Sequence, residues 1–178
     1  MNLKFLGVIC ALIFLFSGCA TSGGSAKDKN IKTYTGILDS DGASQLITVE
    51  DKSDTGAGTI ITVSARDKAK TVIDTLTLPS KVTKFELVDL DKKGINQLAI
   101  YSKSENNATH FLLYRLNNNQ LTKMFDATSE FGIASQFEGT IPRVKIGKSR
   151  AMQQKNSPNF VNDWDTWVWT GEKFIKEQ

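Results

Sequence analysis

The chain has 178 residues, of which 40% are hydrophobic, 23% charged and 9% aromatic, which suits one globular domain and is too apolar for a disordered chain. Lys and Arg number 22 against 19 Asp and Glu, with one His, and a surplus of +3 without a basic stripe points away from nucleic acid. Cysteine occurs only at Cys10 and Cys19, so the body has neither a disulfide framework nor a thiolate metal site.

Met1 to Lys4 supplies one positive charge, and Phe5 to Phe16 then runs FLGVICALIFLF without a charged side chain. As a helix this run would span about 18 Å, well short of a hydrocarbon core of about 30 Å. A short apolar run behind a Lys reads as a secretory signal, not a permanent span. Phe16-Ser17-Gly18-Cys19 resembles the lipobox of bacterial lipoproteins, with Phe16 where that family usually has Leu. The resemblance implies that residues 1–18 are a signal peptide cleaved before Cys19. It also implies diacylglycerol on the Cys19 sulfur and a further acyl chain, such as palmitate, on the new N-terminus. Ala20 is not Asp, which in that family implies the outer membrane and a periplasm-facing body if the source is Gram-negative. Ala20 to Asn30 reads ATSGGSAKDKN, so 19–30 form an acylated Cys and a flexible tether with a reach of about 18 Å.

Residues 31–178 read as one β-rich domain. No window sustains a helical apolar period, and short β-branched and aromatic runs alternate with Asp, Asn, Gly and Lys. The expected strands are Gln45–Val49, Thr59–Ser64, Thr71–Leu78, Phe85–Leu90, Gln97–Tyr101, His110–Leu116, Leu121–Phe125, Arg143–Ile146, Thr166–Trp169 and Lys173–Ile175. In Phe85–Leu90, Phe85 and Leu87 point one way while Val88 and Leu90 point the other. In His110–Leu116, Phe111 and Leu113 oppose Leu112, Tyr114 and Leu116. Strands apolar on both faces predict sheets covered on both sides. The polar stretch Ala151–Asp163 is expected to be a long surface loop.

A repeat runs through the body. Asp39-Ser40-Asp41 precedes Gln45-Leu46-Ile47, and 50 residues later Asp89-Leu90-Asp91 precedes Gln97-Leu98. A third copy begins near Gln136-Phe137-Glu138. Leu116 to Leu121 also aligns with Trp169 to Phe174, two strands joined by polar turns of equal length. Such a period predicts about three four-stranded antiparallel blade-like units, a partial β-propeller-like fold, with a β-sandwich as the alternative. Asp89 to Ile100 resembles the FG-GAP/VCBS-type repeat of integrin-like β-propellers, in which an Asp-rich loop joins two blade strands. Three blades are too few to close a ring.

Calcium is the cation that such a loop implies, and Asp89, Asp91 and Gly94 fit it. Lys93 takes the third acidic position and Gln97 the last one, and the earlier copy reads as two residues shorter. The residues therefore favour Asp side chains capping turn amides, and no cofactor. His110 begins an apolar strand and is read as structural. No nucleophile elbow, Walker loop or zinc-protease motif occurs, so no catalytic residue is assigned. Trp164, Trp167 and Trp169 could stack on a sugar or peptide, or else plug the core. Lys145, Lys148 and Arg150 read as a solvated edge that discourages strand addition. The expectation is a lipid-anchored envelope module that binds or assembles with another envelope protein or glycan and has no catalysis of its own. The alternative is a small envelope hydrolase or inhibitor acting on glycan or protein.

Overall fold

A computed structural model describes residues 30–67, 70–104, 106–152 and 160–178, with the backbone alone at 149–152 and 160–162. The signal segment, Cys19 and the tether up to residue 29 lie outside the described residues. The body is all-β, in three four-stranded antiparallel sheets. The first holds β1 (Ile31–Ile37), β2 (Ser44–Lys52), β3 (Gly58–Ala65) and β4 (Val72–Leu78). The second holds β5 (Val82–Val88), β6 (Gln97–Lys103), β7 (Thr109–Asn117) and β8 (Gln120–Ser129). The third holds β9 (Ile133–Gln136), β10 (Arg143–Met152), β11 (Phe160–Trp169) and β12 (Phe174–Lys176). Each sheet is a meander in chain order, and none is closed into a ring.

Burial along the strands sets the layer order. In β2, Gln45, Ile47 and Val49 are buried while Leu46, Thr48 and Glu50 are half-buried, the alternation of a sheet covered on one face. In β6, all six residues from Gln97 to Ser102 are buried, so both faces are covered. The second sheet is therefore the middle layer. Phe85, Leu98, Ile100 and Leu112 pack with Ile47, Val49, Ile61 and Val63 of the first sheet. Ala99, Tyr101, Phe111 and Leu113 pack with Val144, Trp169 and Phe174 of the third. The two-faced patterns at Phe85–Leu90 and His110–Leu116 are thus found, but only this middle sheet is covered twice.

β1 and β9 carry no sequence signal that predicts them. Each is the first strand of its sheet and lies at an edge. β1 carries Gly36, where an added Cβ would stand 2.7 Å from Leu87 Cδ1 of the second sheet. The approach of two sheets selects glycine there against ordinary strand preference. The expected loop over Ala151–Asp163 is strand at both of its ends, and residues 153–159 lie outside the described residues. Ala151 pairs with Val161 and Met152 with Phe160, so ladder bonds extend the hairpin through polar sequence. β9 pairs with β10 only over Arg143–Ile146, so Lys145 lies between two strands and not at an edge, whereas Lys148 and Arg150 lie beyond that pairing.

The repeat is real in register but offset differently. Gly36 pairs with Gln45, and Val88 with Gln97, which stands 52 positions after Gln45. Gln45 Oε1 accepts the Leu38 N–H at 2.8 Å, and Gln97 Oε1 accepts the Leu90 N–H at 3.0 Å, each across seven residues. Gly42 and Gly94 hold matching left-handed conformations, with φ of 71° and 80°. The two turns are therefore of equal length, and Asp39 corresponds to Asp91, not to Asp89. Sequence alignment on Asp-x-Asp is two residues out because the amide-capping Gln, not the acids, fixes the turn. The later turns match as expected, since Leu116 pairs with Leu121 and Trp169 with Phe174.

Among the described residues, no further sheet covers the two outer faces of the stack. On the first sheet, Thr33, Thr48, Thr62 and Thr75 stand in one row across all four strands. Thr48 and Thr62 hold the places that Ile100 and Leu112 hold in the second sheet. On the third sheet, Lys145 and Thr166 form one row, and Gln136, Arg143, Val168 and Ile175 another. Hydroxyls and cations replace aliphatic groups where a sheet meets water, the pattern of terminal caps in stacked repeats.

Candidate functional site

The Asp-rich turn between β5 and β6 is the first candidate. Asp89 Oδ1 accepts the Lys93 N–H at 3.1 Å, and its Oδ2 accepts the Gly94 N–H at 2.7 Å. Both oxygens of Asp89 thus cap the turn. Asp91 Oδ1 accepts the indole N–H of Trp169 at 2.6 Å, across the junction between second and third sheets. The matching Asp39 takes the Asp41 N–H at 3.1 Å and the Gln45 side-chain amide at 2.7 Å. Among the described residues no three His, Cys, Asp or Glu side chains gather as a metal site. Asp89 and Asp91 accordingly serve a turn and a sheet junction.

The three tryptophans do not form one platform. Trp169 is buried, with its ring centroid 5.3 Å from that of Phe174. Trp167 packs edge-on against Phe125 at 5.4 Å. Opposite residues in an antiparallel pair share a face, and Trp167 stands opposite the fully buried Val144. Trp164 is out of phase with both by strand alternation and lies half-buried on the uncovered face of the third sheet. Plugging the core is the role of Trp167 and Trp169, because the indole N–H of Trp169 needs a partner and finds Asp91.

His110 sits beside Asp126, with Nε2 2.8 Å from Oδ1, and Lys123 donates to the other oxygen at 2.6 Å. Burial pushes the Asp126 carboxyl up, but the bonds from Lys123 and His110 outweigh it and hold the group below its ordinary value. The triplet is a polar cluster that joins β7 to the edge strand β8 of the middle sheet. A second ion pair joins the first sheet to the start of the second. Asp51 takes a bond from Lys81 at 2.7 Å and two from Ser53, and these hold its carboxyl at about 2. The Tyr101 hydroxyl, paired with Ser135, is pushed up to about 12 by burial.

A cleft of about 220 Å³ opens between β1 and β5, lined in part by Lys32, Tyr34, Asp51, Lys81 and Phe85. It is smaller than the roughly 300–1,000 Å³ typical of ligand pockets. The uncovered face of the third sheet is broader. Arg143 and Lys145 are two residues apart on β10 and project from the same face, opposite Val168 and Thr166 of β11, with Trp164 one step further along, opposite Gly147. Lys148, expected in the same cluster, instead bonds Asp165 at 3.0 Å, and Lys176 bonds that carboxylate at 2.8 Å. Sequence reading missed Arg143 as a partner of Lys145, although their spacing signals it; bringing Trp164 alongside requires the register of β11. No protein-family model matches the chain, and no curated protein or solved structure is similar to it.

Proposed function

We propose that the protein is a lipid-anchored cell-envelope module that binds or assembles with other envelope components and has no catalytic activity of its own. Acyl chains on Cys19 hold it to the outer membrane, with the body facing the periplasm. The observation that carries the reading is the engagement of Asp89, Asp91 and His110. Asp89 is bonded to turn amides, Asp91 to the Trp169 indole and His110 to Asp126, so the residues first considered for a cation or a base have structural partners. The lipobox-like Phe16-Ser17-Gly18-Cys19 supports the anchor. Two or more acyl chains hold a protein to a bilayer durably, at about 0.8 kcal/mol for each buried CH₂.

A finer fold reading accompanies this one. The three sheets are blade-like units of an open, partial propeller-like stack, related to FG-GAP/VCBS-type repeats. The shared turn at Leu38–Gln45 and Leu90–Gln97 supports it.

Labelling cells with palmitate tests the anchor. The wild type is expected to carry the label in the outer-membrane fraction, and Cys19→Ser to carry none. A wild-type protein without label, released freely after export, overturns the reading.

A further inference from the structure

The two ends of the stack show what capping requires and where it is exceeded. On the first sheet, Thr48 and Thr62 replace Ile100 and Leu112, which is sufficient to face water. The third sheet uses the same device at Lys145 and Thr166, which replace Ala99 and Leu113. Trp164 breaks the rule. It stands opposite Gly147 as Phe111 stands opposite Tyr101, so an indole occupies the place of a fully buried ring, half-buried on a face that no further sheet covers among the described residues and with Phe131 folded over Gly147 beside it. Lys145 and then Arg143 follow on one side of it along β10, opposite Thr166 and Val168 and about 7 Å apart along the strand. Neither forms an ion pair among the described residues, whereas Lys148 and Lys176 are held by Asp165. Val168 and Ile175 continue the Arg143 row, and Ile175 is 42% exposed.

We infer that this face binds an acidic polysaccharide, with Arg143 and Lys145 holding carboxylates and Trp164 stacking on a sugar ring. The inference rests on the envelope-binding reading above and names its ligand class. A flat face suits an extended polymer laid across strands. A pyranose ring turns C–H groups to an indole, and a guanidinium grips a carboxylate through two parallel bonds. A bilayer surface is a poorer fit, because two cations supply only about 2 kcal/mol of attraction to anionic lipid.

The test uses the full-length acylated protein in detergent micelles, titrated with polygalacturonate, with neutral dextran and with polyglutamate. Polygalacturonate is expected to bind and to weaken with salt, with dextran and polyglutamate at least about tenfold weaker. The double variant Arg143→Gln, Lys145→Gln is expected to weaken polygalacturonate binding about tenfold. Trp164→Ala should do the same while Trp164→Tyr retains most of the affinity, because a phenol still stacks. Thermal melts of the variants check the fold, and the double variant decides if Trp164→Ala melts early. No binding by the wild type overturns the inference, as does equal affinity for polyglutamate or wild-type affinity in the double variant. Each of these failures leaves the palmitate label on Cys19 untouched, so the anchor reading is judged separately.

Discussion

The interfaces on the two sides of the middle sheet share a register and differ in chemistry. Toward the first sheet the contact is aliphatic, with Ile47, Ile61, Val63, Leu98 and Ile100 all fully buried. Among the described residues its one close ring pair, Tyr34 and Phe85 with centroids 4.6 Å apart, lies on the edge strands β1 and β5. Toward the third sheet the contact is aromatic. Phe111 lies 4.8 Å from Tyr101 and 6.1 Å from Phe125, and Phe125 lies 5.0 Å from Phe174. Aliphatic side chains interlock without polar demands, whereas a buried phenol or indole carries a polar end that must be bonded. Ser135 and Asp91 meet that need. The residue that resembles a cation ligand is the acceptor that the aromatic interface requires.

Core truncations should give the largest effects. Phe111→Ala is expected to cost about 3–5 kcal/mol and Ile61→Val only about 0.5–1.5 kcal/mol, measured by urea unfolding. A Phe111→Ala loss below about 1 kcal/mol would remove that ring from the packed core.

The shared register gives a middle-sized test. Gln45→Ala and Gln97→Ala each leave a buried leucine N–H without its acceptor, at about 1–3 kcal/mol apiece. The two losses should agree, and a loss at one site alone would break the equivalence of the turns.

The smallest effect concerns the ion pair at the aliphatic junction. The folded Asp51 carboxyl lies near 2, below its ordinary value of about 3.9 in the unfolded chain. Its contribution is therefore present above about pH 4 and lost as pH falls toward 2. For a pair so exposed it amounts to no more than about 1 kcal/mol. Melts of the wild type and Asp51→Asn across pH 5 to 2 should converge at the acid end. Curves that stay parallel would remove the pair from the account of the junction.

Much of the fold is legible from local alternation. Gln45–Val49 shows one apolar face and His110–Leu116 shows two, and that difference separates an outer sheet from the middle one. β1 and β9 are not legible, because β1 is polar and carries Gly36 and β9 has only four residues. The candidate site is legible only in part. Trp164, Trp167 and Trp169 are adjacent in sequence, but a period of two sends Trp164 to the opposite face. Asp89 and Asp91 look alike until backbone amides claim one and an indole claims the other.

The bond between Asp91 and Trp169 is where the structural and the metal-binding readings of this chain diverge most. Melting temperatures of the wild type and Asp91→Ala, each with calcium and with a chelator, separate them. The expected result is a wild-type midpoint indifferent to calcium, and a variant lowered in both conditions by about 2 kcal/mol, roughly 4–8 °C. A wild-type midpoint that rises with calcium, and a variant that loses the rise, would contradict it.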